Sequence, residues 1–574
     1  MKPTAVIICA LFALPVACLT VRENKAAGDV PRVTFVANDG FLLENGGAKV
    51  LVDAAFSSPS GRPSPGVLED ISFARGPFAD IDLMLITHHH RDHVDPKVVT
   101  AHLQNNAHCR LIANTRTVDL LRKEDGFDRI RDRIHEVNLE PGTSRRMTVN
   151  GIPVGVLALP HSGQPRDGRI VPAEPMGHLA FVVDLAGAGF LHVGDAWLGD
   201  AVNKAALSAY PFDEIRVQFL FLNFFCRTPA ERELIARTIK PSRIIAMHIA
   251  PADLANELKE IHAAYPWAIV FRDSMEQRFF PNEIDLHNLT GDYLGQPPPG
   301  ATPQVFSRGI VSTDLQEHGA PSFSPDGNEV FWLSNRKPGA DNESWISAAV
   351  TMQREKGRWS TPFVPGFAQM FDAFSADGRR GYFHAPRPGA AQQPGPNTDL
   401  WFAEKQGDHW SEPKCLNLIA RYPELRFAYS PTISRNGTLY FTAYAPGPLN
   451  DYGLYRSELV NGEYGKPELL PRNINLSPFL NWTPFIAPDE SCLLFSSNRG
   501  TQAGDVGDLY ISRRRADGSW TDPVSLGEPV NTDRQERFPK LSNDGKYLFF
   551  SRQTPDHDED VFWVDAAAVP ALRP

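Results

Sequence analysis

A chain of 574 residues is too long for one ordinary hydrophobic core and calls for several domains, or for two large ones. Its formal charge of −11 excludes nucleic acid and an anionic membrane surface as main partners, because both select a basic face. The composition, 42% hydrophobic and 22% charged, is that of a globular protein, and 49 prolines with 43 glycines point to many turns and an all-β region rather than a helical bundle.

The chain opens with Lys2 and an apolar run from Thr4 to Leu19, followed by the polar Arg22, Glu23, Asn24 and Lys25. The run is short for a membrane span and is read as an export signal over residues 1–18. Leu14-Pro15-Val16-Ala17-Cys18 loosely resembles a bacterial lipobox, with Pro15 where leucine is usual. Cys18 is therefore a candidate lipid anchor, with simple cleavage as the alternative. Either route predicts a periplasmic, outer-membrane-anchored or secreted protein. Cys109, Cys226, Cys415 and Cys492 show no paired spacing and read as isolated thiols.

Strands are expected at Val33–Val36, Gly40–Glu44 and Lys49–Asp53, the last two joined through Asn45-Gly46-Gly47, a hairpin turn. Ile81–Ile86 is a strand that runs into His88-His89-His90-Arg91-Asp92-His93. Further strands are expected at Val154–Leu159, Leu179–Val183, Gly189–Val193 and Arg243–Met247, with helical patterns at Lys97–Gln104, Thr117–Lys123 and Pro229–Ile239. Thr228, Pro229 and Glu231 form a capping box that starts the last helix. Interspersed strands and helices predict a layered α/β sandwich over residues 30–285. Residues 286–302, with Pro297-Pro298-Pro299 among them, read as a semi-rigid linker.

Beyond it a repeat begins. Phe323-Ser324-Pro325-Asp326-Gly327 returns as Phe374-Ser375-Ala376-Asp377-Gly378, Ile433-Ser434-Arg435-Asn436-Gly437, Ile486-Ala487-Pro488-Asp489-Glu490-Ser491 and Leu541-Ser542-Asn543-Asp544-Gly545. A period near 50 residues, with an aromatic or apolar strand after each copy, marks a β-propeller of about five blades over residues 303–567. The repeats resemble the WD-like propellers of the periplasmic Tol system. The segment Pro303–Phe306 resembles the one before the fifth copy and is expected to supply the missing outer strand of the last blade. The acidic run Asp556–Asp560 and Arg513-Arg514-Arg515 read as solvated surface.

His88-x-His90-x-Asp92-His93 packs four potential ligands into six residues just after a strand. Such crowding is costly without a cation, and histidine with carboxylate suits zinc and related ions. His161, Asp195 and His248 each follow a strand, where sites in layered α/β folds gather. This ordered set resembles the metallo-β-lactamase-fold hydrolase superfamily across about residues 33–285. The resemblance implies an αββα sandwich with two divalent metal ions, zinc first, with manganese or iron as alternatives. Carried over by position, His88, His90 and His161 would hold one ion and Asp92, His93 and His248 the other, with Asp195 bridging. Asp53 matches a position that supports the ligands from behind, and structural roles are expected for His89, His178 and His192.

Two such ions supply a bridging hydroxide nucleophile and stabilise the oxyanion that forms, with Asp92 as ligand and as carrier of the proton. The Gly194-Asp195 step resembles lactonases, phosphodiesterases and thioesterases rather than true β-lactamases, and Pro160-His161-Ser162 resembles a lactonase-like branch that acts on ascorbate phosphate. The implied substrate is a small-molecule or lipid-like ester, lactone or phosphodiester, with the propeller binding substrate, an envelope protein or a glycan. The alternative is a non-catalytic envelope scaffold with a structural metal.

Overall fold

The computed structural model describes residues 30–573, apart from 59–62, 162–164, 167–168, 171–176, 213, 281–285, 287–288, 314, 337–345, 367–369, 389–396, 408, 447–450, 500–506 and 556–558. The expected export signal with Cys18, Ser162, and most of the acidic run near residue 556 lie outside the described residues. Among those described, no helix is long and apolar enough to cross a membrane.

Two seven-stranded sheets face each other in the N-terminal domain. The first runs, in spatial order, Gln277–Phe279, Arg32–Ala37, Gly40–Asn45, Ala48–Val52, Leu83–Leu85, Arg110–Asn114 and Ile134–Val137. The second runs Ile269–Val270, Arg243–Met247, Val217–Asn223, Ala188–His192, Ala180–Leu185, Ile152–Leu157 and Ser144–Val149. Each is antiparallel on one side and parallel on the other. Successive strand residues point to opposite faces. Leu43, Val50 and Leu85 accordingly enter the core between the sheets with Phe181, Phe190 and Phe221. Their neighbours Leu42, Leu51, Met84 and Ile86 enter a second core under Val99 and Leu103 of the helix Pro96–Asn105. Burial on both faces explains the near-continuous apolar runs. It also explains why Val217–Asn223, buried throughout and without alternation, was not among the expected strands.

The capping box forms as expected: Thr228 accepts from the Glu231 N–H while Glu231 accepts from the Thr228 N–H. The helix stays α only over Pro229–Leu234. Residues Ile235–Ile239 form a π turn that ends at Lys240 in the left-handed region.

The C-terminal region is an all-β propeller of five blades. Its paired central strands are Glu329–Arg336 with Ile346–Glu355, Arg380–Pro386 with Thr398–Gln406, Leu439–Ala445 with Asp451–Ser457, Cys492–Ser497 with Asp508–Arg513, and Tyr547–Gln553 with Glu559–Asp565. Gln304–Val305 pairs antiparallel with Phe562 and Trp563, so the first strand of the region completes the last blade. The repeat is a turn device. Ser324, Ser375, Ser434 and Ser542 each donate to the Asp or Asn two residues on. The glycine that follows stands in the left-handed region, at φ +68° for Gly327. In the fourth copy Glu490 takes that place at φ +59° and pairs with Arg514.

The segment read as a spacer is docked. Leu286, Leu289 and Leu294 join the cluster that holds Trp332, Trp359 and Trp563 of the propeller, and Trp359 Nε1 donates to the Gly291 carbonyl at 2.8 Å. The prolines read as a semi-rigid spacer, but the leucines that precede them seat the segment on the propeller. A second junction forms at the π turn. Arg232 donates to the Val364 and Pro365 carbonyls at 2.6 and 3.2 Å, and the Thr361 N–H donates to the Ala236 carbonyl at 3.0 Å.

Candidate metal centre

The strand Leu83–Leu85 carries the chain straight to Thr87 and the histidine run. Asp53, at the end of Ala48–Val52, accepts from the Thr87 N–H at 2.9 Å and from its hydroxyl at 2.6 Å, and meets His93 Nδ1 at 2.9 Å. Its carboxylate therefore fixes the ring so that His93 Nε2 faces the pocket. Thr87 Oγ1 also lies 3.0 Å from His88 Nδ1, which fixes that ring in turn.

Asp195 lies at the centre. One or other of its oxygens is 3.7 Å from His88 Nε2, 3.4 Å from His93 Nε2, 3.2 Å from His161 Nε2 and 3.5 Å from His248 Nε2. Two sets of donor atoms converge there, each within 4.8 Å of one another: His88, His90, His161 and Asp195, and Asp39, His93, Asp195 and His248. Asp195 belongs to both. Asp92 stands at the edge of the second set, 3.7 Å from His248 Nε2 and 3.9 Å from His93 Nε2, with 34% of its side chain exposed. All seven residues expected from the sequence are thus brought together, and Asp39 joins them.

The backbone around Asp195 is tightly held. His178 Nδ1 bonds the Leu159 carbonyl, and its Nε2 accepts from the Asp195 N–H at 2.9 Å. Gly194 stands at φ +53°, where a Cβ would lie 2.5 Å from His178 Nε2 and 2.9 Å from Thr87, so glycine is required. Asn223 donates to the Gly194 carbonyl. Asn203 ties the Trp197 and Pro160 carbonyls together, linking the Asp195 loop to the one that carries His161. His192 Nε2 holds the Asp39 carbonyl at 2.9 Å. His178 and His192 therefore support backbone, while His89 stays at the edge, half-buried.

Burial, reinforced by His93, pushes the His88 imidazole well below the usual range and keeps it neutral. Burial also works against His93 and His248, but the carboxylates of Asp195 and Asp53 raise His93 well above its usual range. Asp39 and Asp195 raise His248 to about 9. Asp39 is driven upward by burial and by the facing Asp195. Buried acids thus call for positive charge at this spot. His93 Nε2, His248 Nε2 and both Asp39 oxygens are buried yet make no hydrogen bond of ordinary geometry. Imidazole nitrogens and carboxylate oxygens left open toward one point fit divalent cations.

The layered sheets and this ligand order define a metallo-β-lactamase-fold, hydrolase-type domain. Residues 48–259 match the family model described as a beta-lactamase superfamily domain. No curated protein matches the chain in sequence. Among solved structures, the chain is similar to Igni18, a metallo hydrolase from Ignicoccus hospitalis, at 16% identity and TM-score 0.30, over 45% of this chain and 100% of that one. It is similar to zinc-bound PqqB from Methylobacterium extorquens at 13% identity and TM-score 0.28, over 42% and 86%. It is also similar to the tricorn protease at 17% identity and TM-score 0.28, over 44% and 23%. These likenesses are too distant to carry an argument about function.

The sequence reading missed Asp39. It sits in Asn38-Asp39-Gly40, which reads as turn chemistry first. Nothing local in the sequence marks it, because what places it is a distant contact: a Cβ on Gly40 would lie 2.7 Å from the Ala54 Cα.

Proposed function

We propose that the N-terminal domain is a dinuclear metal-dependent hydrolase acting on a carboxylic ester, lactone or phosphodiester. The observation that carries this reading is the sharing of Asp195 between two adjacent sets of buried donors. A structural zinc needs only four closed ligands, so a double set with a common carboxylate favours catalysis over a scaffold role. His88, His90 and His161 would hold one cation and His93 and His248 the other, with Asp195 common to both sets and Asp92 at the open edge of the second. When bound, such a pair supplies an activated water and charge for the developing oxyanion.

The chain's own residues do the rest. Asp53 and Thr87 hold the His93 and His88 rings at fixed angles, and His178 fixes the backbone that presents Asp195. Asp92, open to solvent on one side, is placed to take a proton and return it to the leaving group. The propeller is proposed to bind substrate or a cell-envelope partner, in an exported protein.

The test uses the full chain. Metal analysis should give about two equivalents, and a panel of generic esters, lactones and phosphodiesters should include a substrate whose turnover falls at least ~100-fold in Asp92→Asn. Stoichiometric metal without turnover across the panel would favour the scaffold role instead.

A further inference from the structure

We propose that Asp39 is a protein ligand of the second cation position, which it completes with His93, His248 and Asp195; this rests on reading the pocket as a two-cation site. The seven residues expected from the sequence do not include it, and its placement is built rather than incidental. Its turn is pressed against the strand end that carries Asp53. A Cβ on Gly40 would meet the Ala54 Cα at 2.7 Å, the Ala37 carbonyl at 2.9 Å and the Asp53 carbonyl at 3.0 Å, all of them backbone atoms that cannot swing aside. Asn38 takes a left-handed φ of +47° and its amide reaches the Asp92 carbonyl at 3.4 Å. His192 clamps the Asp39 carbonyl from the opposite sheet.

These restraints bring a fully buried carboxylate to 3.8 Å from His93 Nε2. No ordinary hydrogen bond meets either oxygen. A buried acid without donors, facing a second buried acid, is strongly unfavourable unless a cation or a shared proton lies between them. The open nitrogens of His93 and His248 on the same point favour the cation, because a shared proton would leave both unanswered.

Division of labour follows. With Asp39, His93, His248 and Asp195 the second position has four protein donors, which suffices for a tetrahedral site. Asp92 is the more exposed acid and is then left to handle the proton. Asp39 is thus a ligand and Asp92 the proton carrier.

The experiment strips the full chain with chelator and titrates zinc chloride into wild type, Asp39→Asn and Asp92→Asn, reading bound zinc and the unfolding temperature. Wild type should bind two zinc ions. Asp39→Asn should retain one, with the second weakened at least ~100-fold, beyond the loss seen for residues that only support ligands. Zinc should raise the unfolding temperature of Asp39→Asn by less than that of wild type, since one bound ion is missing. Asp92→Asn should keep both ions. Two zinc ions at wild-type affinity in Asp39→Asn would overturn the proposal. If Asp39→Asn does not fold, Asp92→Asn decides: retention of both ions supports Asp39 as the missing donor, and loss of the second overturns it. Wild type binding fewer than two ions would overturn the two-cation reading itself.

Discussion

The two halves of the chain both bury carboxylates, but they answer them differently. In the propeller each is met on the spot. Glu317 accepts from the backbone and hydroxyl of Thr313, Glu536 does the same with Thr532, and Arg552 reaches Glu536 at 2.8 Å. Glu559 is met by Arg537 and His318. In the N-terminal domain the buried Asp39 carboxylate meets no ordinary hydrogen bond, and it stands beside His93 and His248, whose Nε2 atoms make none either. Satisfied burial fixes a fold, whereas unsatisfied burial marks a place prepared for something else.

The sharpest way to break that contrast is Asp195→Ala. It removes the carboxylate common to both donor sets and should lower turnover at least ~1000-fold with loss of bound metal, measured by steady-state kinetics and metal analysis. Chelation should come next. Stripping metal should lower the first thermal transition by on the order of 10 °C, because metal stabilises the state that binds it; a calorimetric trace unchanged by chelator would place the metal-binding energy elsewhere.

Arg232→Met should cost about 2–4 kcal/mol in urea unfolding, because the Val364 and Pro365 carbonyls lose a charged donor. It should also separate the unfolding of the two halves, whereas a single unshifted transition would show that the docked leucines suffice. Smallest is Gly327→Ala in a blade turn. A Cβ there meets nothing closer than Arg354 at 3.8 Å, so only the backbone strain at φ +68° counts, about 1 kcal/mol with turnover untouched.

Much of this was legible in the sequence for a physical reason. The His88–His93 run is local, and a turn is enough to aim it. Ser-x-Asp-Gly, with its Asn and Glu variants in the third and fourth copies, is likewise a self-contained turn and betrays the blades without any knowledge of their neighbours. What escaped depends on partners distant in sequence. Asp39 becomes a donor only because Gly40 lets its turn press on Ala54 and His192 holds it from the other sheet. Leu289 and Leu294 look like linker residues until the blades they enter are in place. The π turn at Ile235–Ile239 carries an ordinary helical pattern, and the Ala236 carbonyl within it meets its partner, Thr361, across the domain boundary.

The pairing of Gln304–Val305 with Phe562 and Trp563 sets an order of events during synthesis. The N-terminal domain can gather all its ligands once residue 279, in the last strand of its first sheet, has left the ribosome. The ring cannot close until the strand Glu559–Asp565 has emerged, so the first strand of the propeller waits through the making of every blade with an open edge. Domains fold as they are delivered, N-terminal first, and an unpaired edge invites foreign strands. A nascent chain stalled before residue 559 would therefore carry a finished metal centre beside an unclosed, sticky ring, and aggregation of such fragments should track the propeller rather than the domain that binds metal.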